Sequence, residues 1–257
     1  MLCLGIIGNF TGHLSGAEKV AEDLMPNGIF VINCEENDTL TSGEELRYPR
    51  QGTEVDIEPE FVLRCQVGYQ DGKVSSLMTT HISIGNDMTI RSLEGSEKIS
   101  QRKAWGTHSK GINNHWWNVS RLSPLNYDEN LKLVSYIERD QTLHLATPVV
   151  SCTEMKVFYC YLMAWMVERI NTQQDEGMYQ EILPTLAKMG FPSELILYTG
   201  APNYTQWGNE NFVHAGDKIH IAAFNANVVS KEQVEEMFST NSSSNSDAVL
   251  SLSQLVV

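Results

Sequence analysis

Glu58-Pro59-Glu60, followed further along by Gly85-Asn86-Asp87-Met88-Thr89-Ile90-Arg91, is the stretch on which the reading of this chain turns. Successive side chains on a strand point to opposite faces, so glutamates at i and i+2 project from the same side. At about 4 Å and an effective dielectric near 20 their repulsion is roughly 4 kcal/mol. A proton, a basic side chain or a metal ion must offset it, unless both groups sit on an exposed, solvated strand. Arg64 and Arg91 are basic candidates nearby in sequence. An all-oxygen cluster of carboxylates suits Mg²⁺ or Mn²⁺, with Ca²⁺ also compatible, rather than zinc.

Working outward, Pro59 cannot donate to a ladder, which predicts that its strand is an edge or begins there. Residues 61–69 read as that strand. Asp71-Gly72 is a hairpin turn signal, and Val74 opens the returning strand. Residues 29–33, 195–198 and 218–224 read as further strands. Residues 15–24 read as a short helix with capping-box spacing between Ser15 and Glu18. Ser151 and Glu154 have the same spacing and predict a helix running to about Ile170, with Val157, Tyr161, Ala164 and Trp165 facing the core. Residues 179–189 read as a helix ended by Gly190 and Pro192, and Ser230 caps a last one near Val234. Residues 86–127 are irregular and rich in Gly, Asn, Trp and Lys, which in a compact protein marks function. Trp105, Trp116 and Trp117 there, with His108 and His115, are either packing residues or a pocket wall.

The 257 residues allow one large domain, placed at 1–238. Residues 239–246 are Ser/Asn-rich and read as a flexible linker. The apolar end, 250–257, is too short to fold alone, and either docks on the domain, meets a neighbouring subunit or frays. The class is α+β and strand-rich. A net charge of −14 argues against nucleic acid or an anionic membrane as partner. The five cysteines form no C-x-x-C pair, which favours reduced thiols in a cytoplasmic protein. No run approaches the ~20 apolar residues of a membrane span.

The metal-site stretch resembles the signature of the fumarylacetoacetate hydrolase superfamily, in which a Glu-x-Glu strand precedes an Asn-Asp-x-(Ser/Thr)-x-Arg segment. Further segments match in order. Ile7-Gly8-Asn9-Phe10-x-x-His13 is similar to the family's Gly-x-Asn-Tyr-x-x-His segment, and Lys103 to the lysine after the metal aspartate. Tyr198-Thr199-Gly200-Ala201-Pro202 is similar to the late Thr-Gly-Thr-Pro turn, and Ala215-Gly216-Asp217 to the Pro-Gly-Asp strand entry. The pattern looks like a divergent branch. The usual Arg-Asp-x-Gln reads Arg91-Ser92-Leu93-Glu94, the second threonine of the late turn is Ala201, and the acid expected three residues after His13 is Gly16, leaving Glu18 as the nearest candidate.

The resemblance implies a mixed β-roll or sandwich with flanking helices, usually homodimeric. It assigns Glu58, Glu60 and Asp87 as ligands of Mg²⁺ or Mn²⁺. Three carboxylates leave about half an octahedron for water or substrate. Lys103 is the expected stabiliser of a developing enolate or oxyanion. His13 is either a general base with Glu18 as partner or a histidine held in a Gly-rich turn. Arg91, Lys110 and Thr199 are the expected substrate contacts, with Arg91 equally placed for a structural ion pair. The implied function is a metal-dependent enzyme acting on a small anionic oxo- or diketo-acid, by C–C hydrolysis, decarboxylation or tautomerisation. The alternative is a metal-stabilised scaffold that keeps the fold without turnover.

Overall fold

A computed structural model describes the chain apart from residues 12–23, 34–40, 51–53, 93–96, 104, 106–107, 120–128 and 243. The expected helix over 15–24 and its Ser15–Glu18 cap therefore fall largely outside the described residues. In chain order the first half comprises β1 (Leu2–Ile7), β2 (Gly28–Asn33), β3 (Glu45–Leu46), β4 (Val55–Asp56), β5 (Pro59–Gln70), β6 (Lys73–Asn86), β7 (Thr89–Ile90), α1 (Ile99–Lys103), β8 (Gly111–Ile112) and β9 (Trp117–Asn118). The second half comprises β10 (Leu131–Arg139), β11 (Thr142–Ser151), α2 (Tyr159–Thr172), α3 (Leu183–Lys188), β12 (Glu194–Tyr198), α4 (Gln206–Glu210), β13 (Lys218–Asn225), α5 (Lys231–Ser239) and β14 (Val249–Val256).

The fold is α+β and strand-rich, as the sequence predicts. A seven-stranded sheet runs β2-β1-β12-β5-β6-β8, with β9 also on β6. It is mixed, because β1 pairs parallel with β12 while the other ladders are antiparallel. A five-stranded sheet runs β11-β10-β13-β14-β3 and packs across β5 and β6. The main core lies between them, with Phe61, Leu63 and Cys65 of β5 meeting Leu133, Ile221 and Leu252 of the second sheet in one cluster. The opposite face of β5 carries Val62, which packs with Cys3, Ile7, Phe30 and Tyr198.

Asp71 and Gly72 take φ of 51° and 75°, the left-handed pair that a two-residue hairpin between β5 and β6 requires. β5 starts at Pro59, but it is interior to the sheet rather than an edge. Pro59 is tolerated because β12 reaches only to Val62, so no neighbour on that side needs its N–H.

Three local expectations change. The Ser151–Glu154 capping box is present, but it closes a short 3₁₀ turn at Cys152–Glu154. The chain then extends and α2 starts anew at Tyr159, which resets its phase. Its core face is Leu162, Met163, Trp165, Met166 and Ile170, while Tyr161 is 77% exposed and Ala164 is also outward. The helix expected over 179–189 begins only at Leu183, with Pro184 in its first turn. The apolar end is β14, hydrogen-bonded along β13 and meeting β3. Among the described residues Cys3, Cys65, Cys152 and Cys160 are free thiols, and no helix is long and apolar enough to cross a membrane.

His220 of β13 is buried, with Nδ1 2.9 Å from Ser253 Oγ and Nε2 3.2 Å from Glu138 Oε2. Burial is the main cause that pushes its pKa down, from 6.5 to about 4. The unfolded chain therefore takes up the proton first, and stability is lost as pH falls through that window. The melting temperature of the wild type should drop between pH 6.5 and 4 more steeply than that of His220→Gln. Parallel curves in a pH series would show that His220 does not carry this loss.

Candidate metal centre

Glu60 lies opposite Gly85 and Pro59 opposite Asn86 in the β5–β6 ladder. The ladder continues one step, as Asp87 N donates to Glu58 O at 2.9 Å. Alternation puts Glu58 and Glu60 on one face of the strand, and the register brings Asp87 across from them. One oxygen from each lies within 4.8 Å of the others. All three are buried, at 4%, 2% and 0% exposure.

Each carboxylate is held by a different part of the fold. Glu60 Oε2 accepts from Gly200 N at 2.6 Å, in a turn that begins where β12 ends. Gly200 has φ of +100°, which a side chain would strain, and this conformation aims its N–H at the glutamate. Lys103, the last residue of α1, ion-pairs with Glu58 Oε2 and lies 2.9 Å from Asp87 Oδ2. Lys110 Nζ lies 2.8 Å from Asp87 Oδ1 and donates to Met88 O at 2.8 Å. Arg91 Nη2 is 3.0 Å from Glu58 Oε1, and its Nε is 2.8 Å from Asp56 Oδ2. Tyr204 braces Arg91 at 3.2 Å and donates to Ile57 O at 2.8 Å.

The electrostatics follow from this crowding. Burial, then the Asp87 charge, pushes Glu60 well above the ordinary carboxylate range. Burial pulls the Lys103 ammonium down, but Asp87, Glu58 and Glu60 outweigh it and hold the pKa above its usual value. Lys110 goes the other way, because for it burial outweighs Asp87. Asp56, Glu58 and Asp87 are each in contact with one or more of Arg91, Lys103 and Lys110, whereas Glu60 is held by the Gly200 N–H. A lysine nitrogen lies within 2.9 Å of each Asp87 oxygen. The donor set fits a divalent cation: three hard carboxylate oxygens, buried and within 4.8 Å of one another.

A cavity of about 50 Å³ opens beside the cluster, lined by Glu58, Arg91, Arg102 and Lys103 with Phe30 and Ala201 among its other walls. Cα–Cβ geometry at Gly5 explains the position of Phe30, since a Cβ there would lie 2.3 Å from its ring. The volume holds a few waters or a small ligand group.

Of the residues expected from sequence, Glu58, Glu60, Asp87, Lys103, Lys110 and Arg91 come together. Thr199 does not offer its hydroxyl to the cavity, but donates it to Phe61 O at 3.0 Å. Lys110 backs Asp87 and is not among the cavity-lining residues. Arg64 is not a partner of the cluster, and instead lies over the Trp116 ring at 4.7 Å. Trp105 and Trp117 are packed on the main core and do not line the cavity. His13 and Glu18 lie outside the described residues. Asp56 and Tyr204 join the site without being among the residues expected from sequence. Asp56 extends the alternation to Asp56-x-Glu58-x-Glu60, a signal available in the sequence, whereas nothing local marks Tyr204.

Fold and site together define a protein with the fumarylacetoacetate hydrolase fold and a buried three-carboxylate centre. The chain belongs to a family of unknown function, DUF5718, whose model matches residues 17–256. No curated protein matches the sequence. Among solved structures it is similar to Cg1458 with inhibitor, at 17% identity over 100% of this chain and 76% of that one, with a TM-score of 0.62. It is similar to 2-keto-3-deoxy-D-arabinonate dehydratase complexed with magnesium and 2,5-dioxopentanoate, at 15% identity over 99% and 72%, with a TM-score of 0.59. A protein from Oleispira antarctica described as a fumarylacetoacetate isomerase/hydrolase matches at 14% identity over 100% and 93%, with a TM-score of 0.56.

Removing the lysine that bridges two carboxylates leaves both without their counter-charge. In chelator, Lys103→Met should lose about 3–5 kcal/mol in urea denaturation, and added Mg²⁺ or Mn²⁺ should restore part of it. An unchanged midpoint in chelator would show that Lys103 does not neutralise the cluster.

Proposed function

We propose that the protein is a divalent-metal-dependent enzyme acting on a small oxo- or diketo-acid. The observation that carries this is the buried Glu58–Glu60–Asp87 cluster with Lys103 between it and a small cavity. The magnesium and 2,5-dioxopentanoate of the dehydratase with the same fold support the ligand class. Glu58, Glu60 and Asp87 would hold Mg²⁺ or Mn²⁺. When bound, such an ion supplies Lewis acidity toward a carbonyl and its adjacent carboxylate.

The chain's own groups do the rest. Lys103 and Arg102 give the cavity the positive charge that an anionic acid needs in a chain of net charge −14. Lys103 stabilises enolate-like negative charge as it develops on the substrate oxygen. Arg91, fixed by Asp56, Glu58 and Tyr204, orients Glu58 and forms part of the wall. Phe30 and Ala201 exclude water on their sides. Decarboxylation needs these groups and a proton from solvent for the enolate carbon, and tautomerisation needs in addition a base to take the α-proton. C–C hydrolysis also needs a water activated by a base, the role we assign to His13 with Glu18 as partner. A homodimer is the assembly proposed with this reading.

The second reading is a metal-stabilised binding or scaffold protein. Ala201 favours it, because the cavity wall lacks a hydroxyl where the family pattern has a threonine. It predicts metal-dependent stability without turnover.

Thermal melting separates these. Chelation should lower the melting temperature of the wild type, Mg²⁺ or Mn²⁺ should raise it, and oxalate, a bidentate enolate mimic, should raise it further. Asp87→Asn should lose both responses, and Glu60→Gln should lose turnover on any oxo-acid the wild type converts. A rise with metal but none with oxalate favours the scaffold. No response to metal, or full turnover by Glu60→Gln, contradicts the enzyme reading.

A further inference from the structure

The C-terminal strand reaches the metal centre from behind. β14 lies in the second sheet, yet its Gln254 side chain enters the first sheet beside the end of β6. Gln254 and Asn86 are both buried, at 1% and 0% exposure. Asn86 Nδ2 donates to Gln254 Oε1 at 3.5 Å, and Asn86 Oδ1 accepts from Glu58 N at 3.2 Å. Asn86 directly precedes Asp87, whose own N–H donates to Glu58 O at 2.9 Å. One side-chain amide therefore ties the strand that carries Glu58 to the strand that leads into Asp87.

That amide works in one orientation only. Rotated by half a turn, Asn86 would set a donor against the Glu58 N–H. The Glu58 N–H holds Asn86 Oδ1, and Gln254 Oε1 accepts from the Nδ2 on the other side of the same amide. Space for it is provided by Gly111, where a Cβ would lie 2.2 Å from Gln254 Oε1. Gly111 is itself paired with Asn86 in the β6–β8 ladder.

A second set of bonds ties the preceding segment to the same sheet. Asn113 Nδ2 donates to Asn245 Oδ1 at 2.7 Å and to Ser251 O at 3.0 Å, while Asn113 N donates to Ile84 O at 2.9 Å. Trp117 Nε1 donates to Ser246 O at 2.8 Å. The end of the Ser/Asn-rich segment is thus bonded to residues that lie along β6 at Ile82 and Ile84.

We propose that Gln254 is a positioning residue for the Glu58–Glu60–Asp87 centre, acting through Asn86, and that the C-terminal strand sets metal affinity as well as stability. This rests on the metal-binding reading above.

The test is a calorimetric titration of Mn²⁺ into the full chain, at a temperature where near-UV circular dichroism shows every variant folded. Gln254→Met keeps length and burial but deletes the acceptor, and should weaken Mn²⁺ binding by about tenfold or more. Gly111→Ala, which displaces the Gln254 amide, should do the same and carries the test if Gln254→Met does not fold. Leu252→Val lies on the same strand, faces the main core and leaves Asn86 untouched, so it should lower the melting temperature while keeping the wild-type Kd. Folded Gln254→Met and Gly111→Ala with the wild-type Kd would overturn the inference while leaving the metal reading intact. Equal weakening in Leu252→Val would overturn it too, by showing that any loss of strand stability suffices. A wild type that binds no Mn²⁺ overturns the metal reading and this inference with it.

Discussion

Carboxylates taken out of water cost several kcal/mol each, and side by side they also repel. Glu58, Glu60 and Asp87 bear both costs, so much around them is an arrangement of counter-charge and N–H donors. The donors come from distant places: Gly200 after β12, Lys103 from α1, Lys110 from the approach to β8, and Arg91 from the end of β7. No local segment could supply them. The mixed sheet explains how they meet. Antiparallel β12 ends beside Val62 of β5, which leaves the next turn level with Glu60. Parallel pairing of β1 with β12 then brings Asn9 against Thr199, whose carbonyl accepts from Asn9 Nδ2 at 2.8 Å.

The two lysines beside Asp87 show how the field is graded. Lys103 meets all three carboxylates and has its pKa raised, whereas Lys110 meets chiefly Asp87 and has its pKa lowered by burial. The lysine with the strongest hold on its proton lines the cavity, and the other is sealed behind the aspartate. A persistent cation next to a small cavity suits anion recognition. A sealed one suits fixing a ligand.

How much of this could be read from sequence depends on the range of each interaction. The i, i+2 spacing of Glu58 and Glu60 and the Asp71-Gly72 turn are local, and they place the cluster and its hairpin. The same alternation would have included Asp56. The β10–β11 hairpin has no such marker, because its turn is Asp140-Gln141, held at φ of 52° and 62° without a glycine. The phase of helix α2 is not legible in the sequence because its apparent cap belongs to a separate turn, and only tertiary packing decides that Tyr161 faces outward. Lys103 was legible through resemblance alone. Tyr204 and Gln254 reach Arg91 and Asn86 across long sequence separations, which no periodicity encodes.

The central claim is that the three carboxylates form one metal-binding centre. An anomalous-difference map from crystals soaked in Mn²⁺, after chelation, tests it most directly. The account predicts a single strong peak within coordinating distance of oxygens from Glu58, Glu60 and Asp87 together. A map with no peak there, and with Lys103 still bridging Glu58 and Asp87, would show that the cluster is a closed ion-pair network and contradict the account.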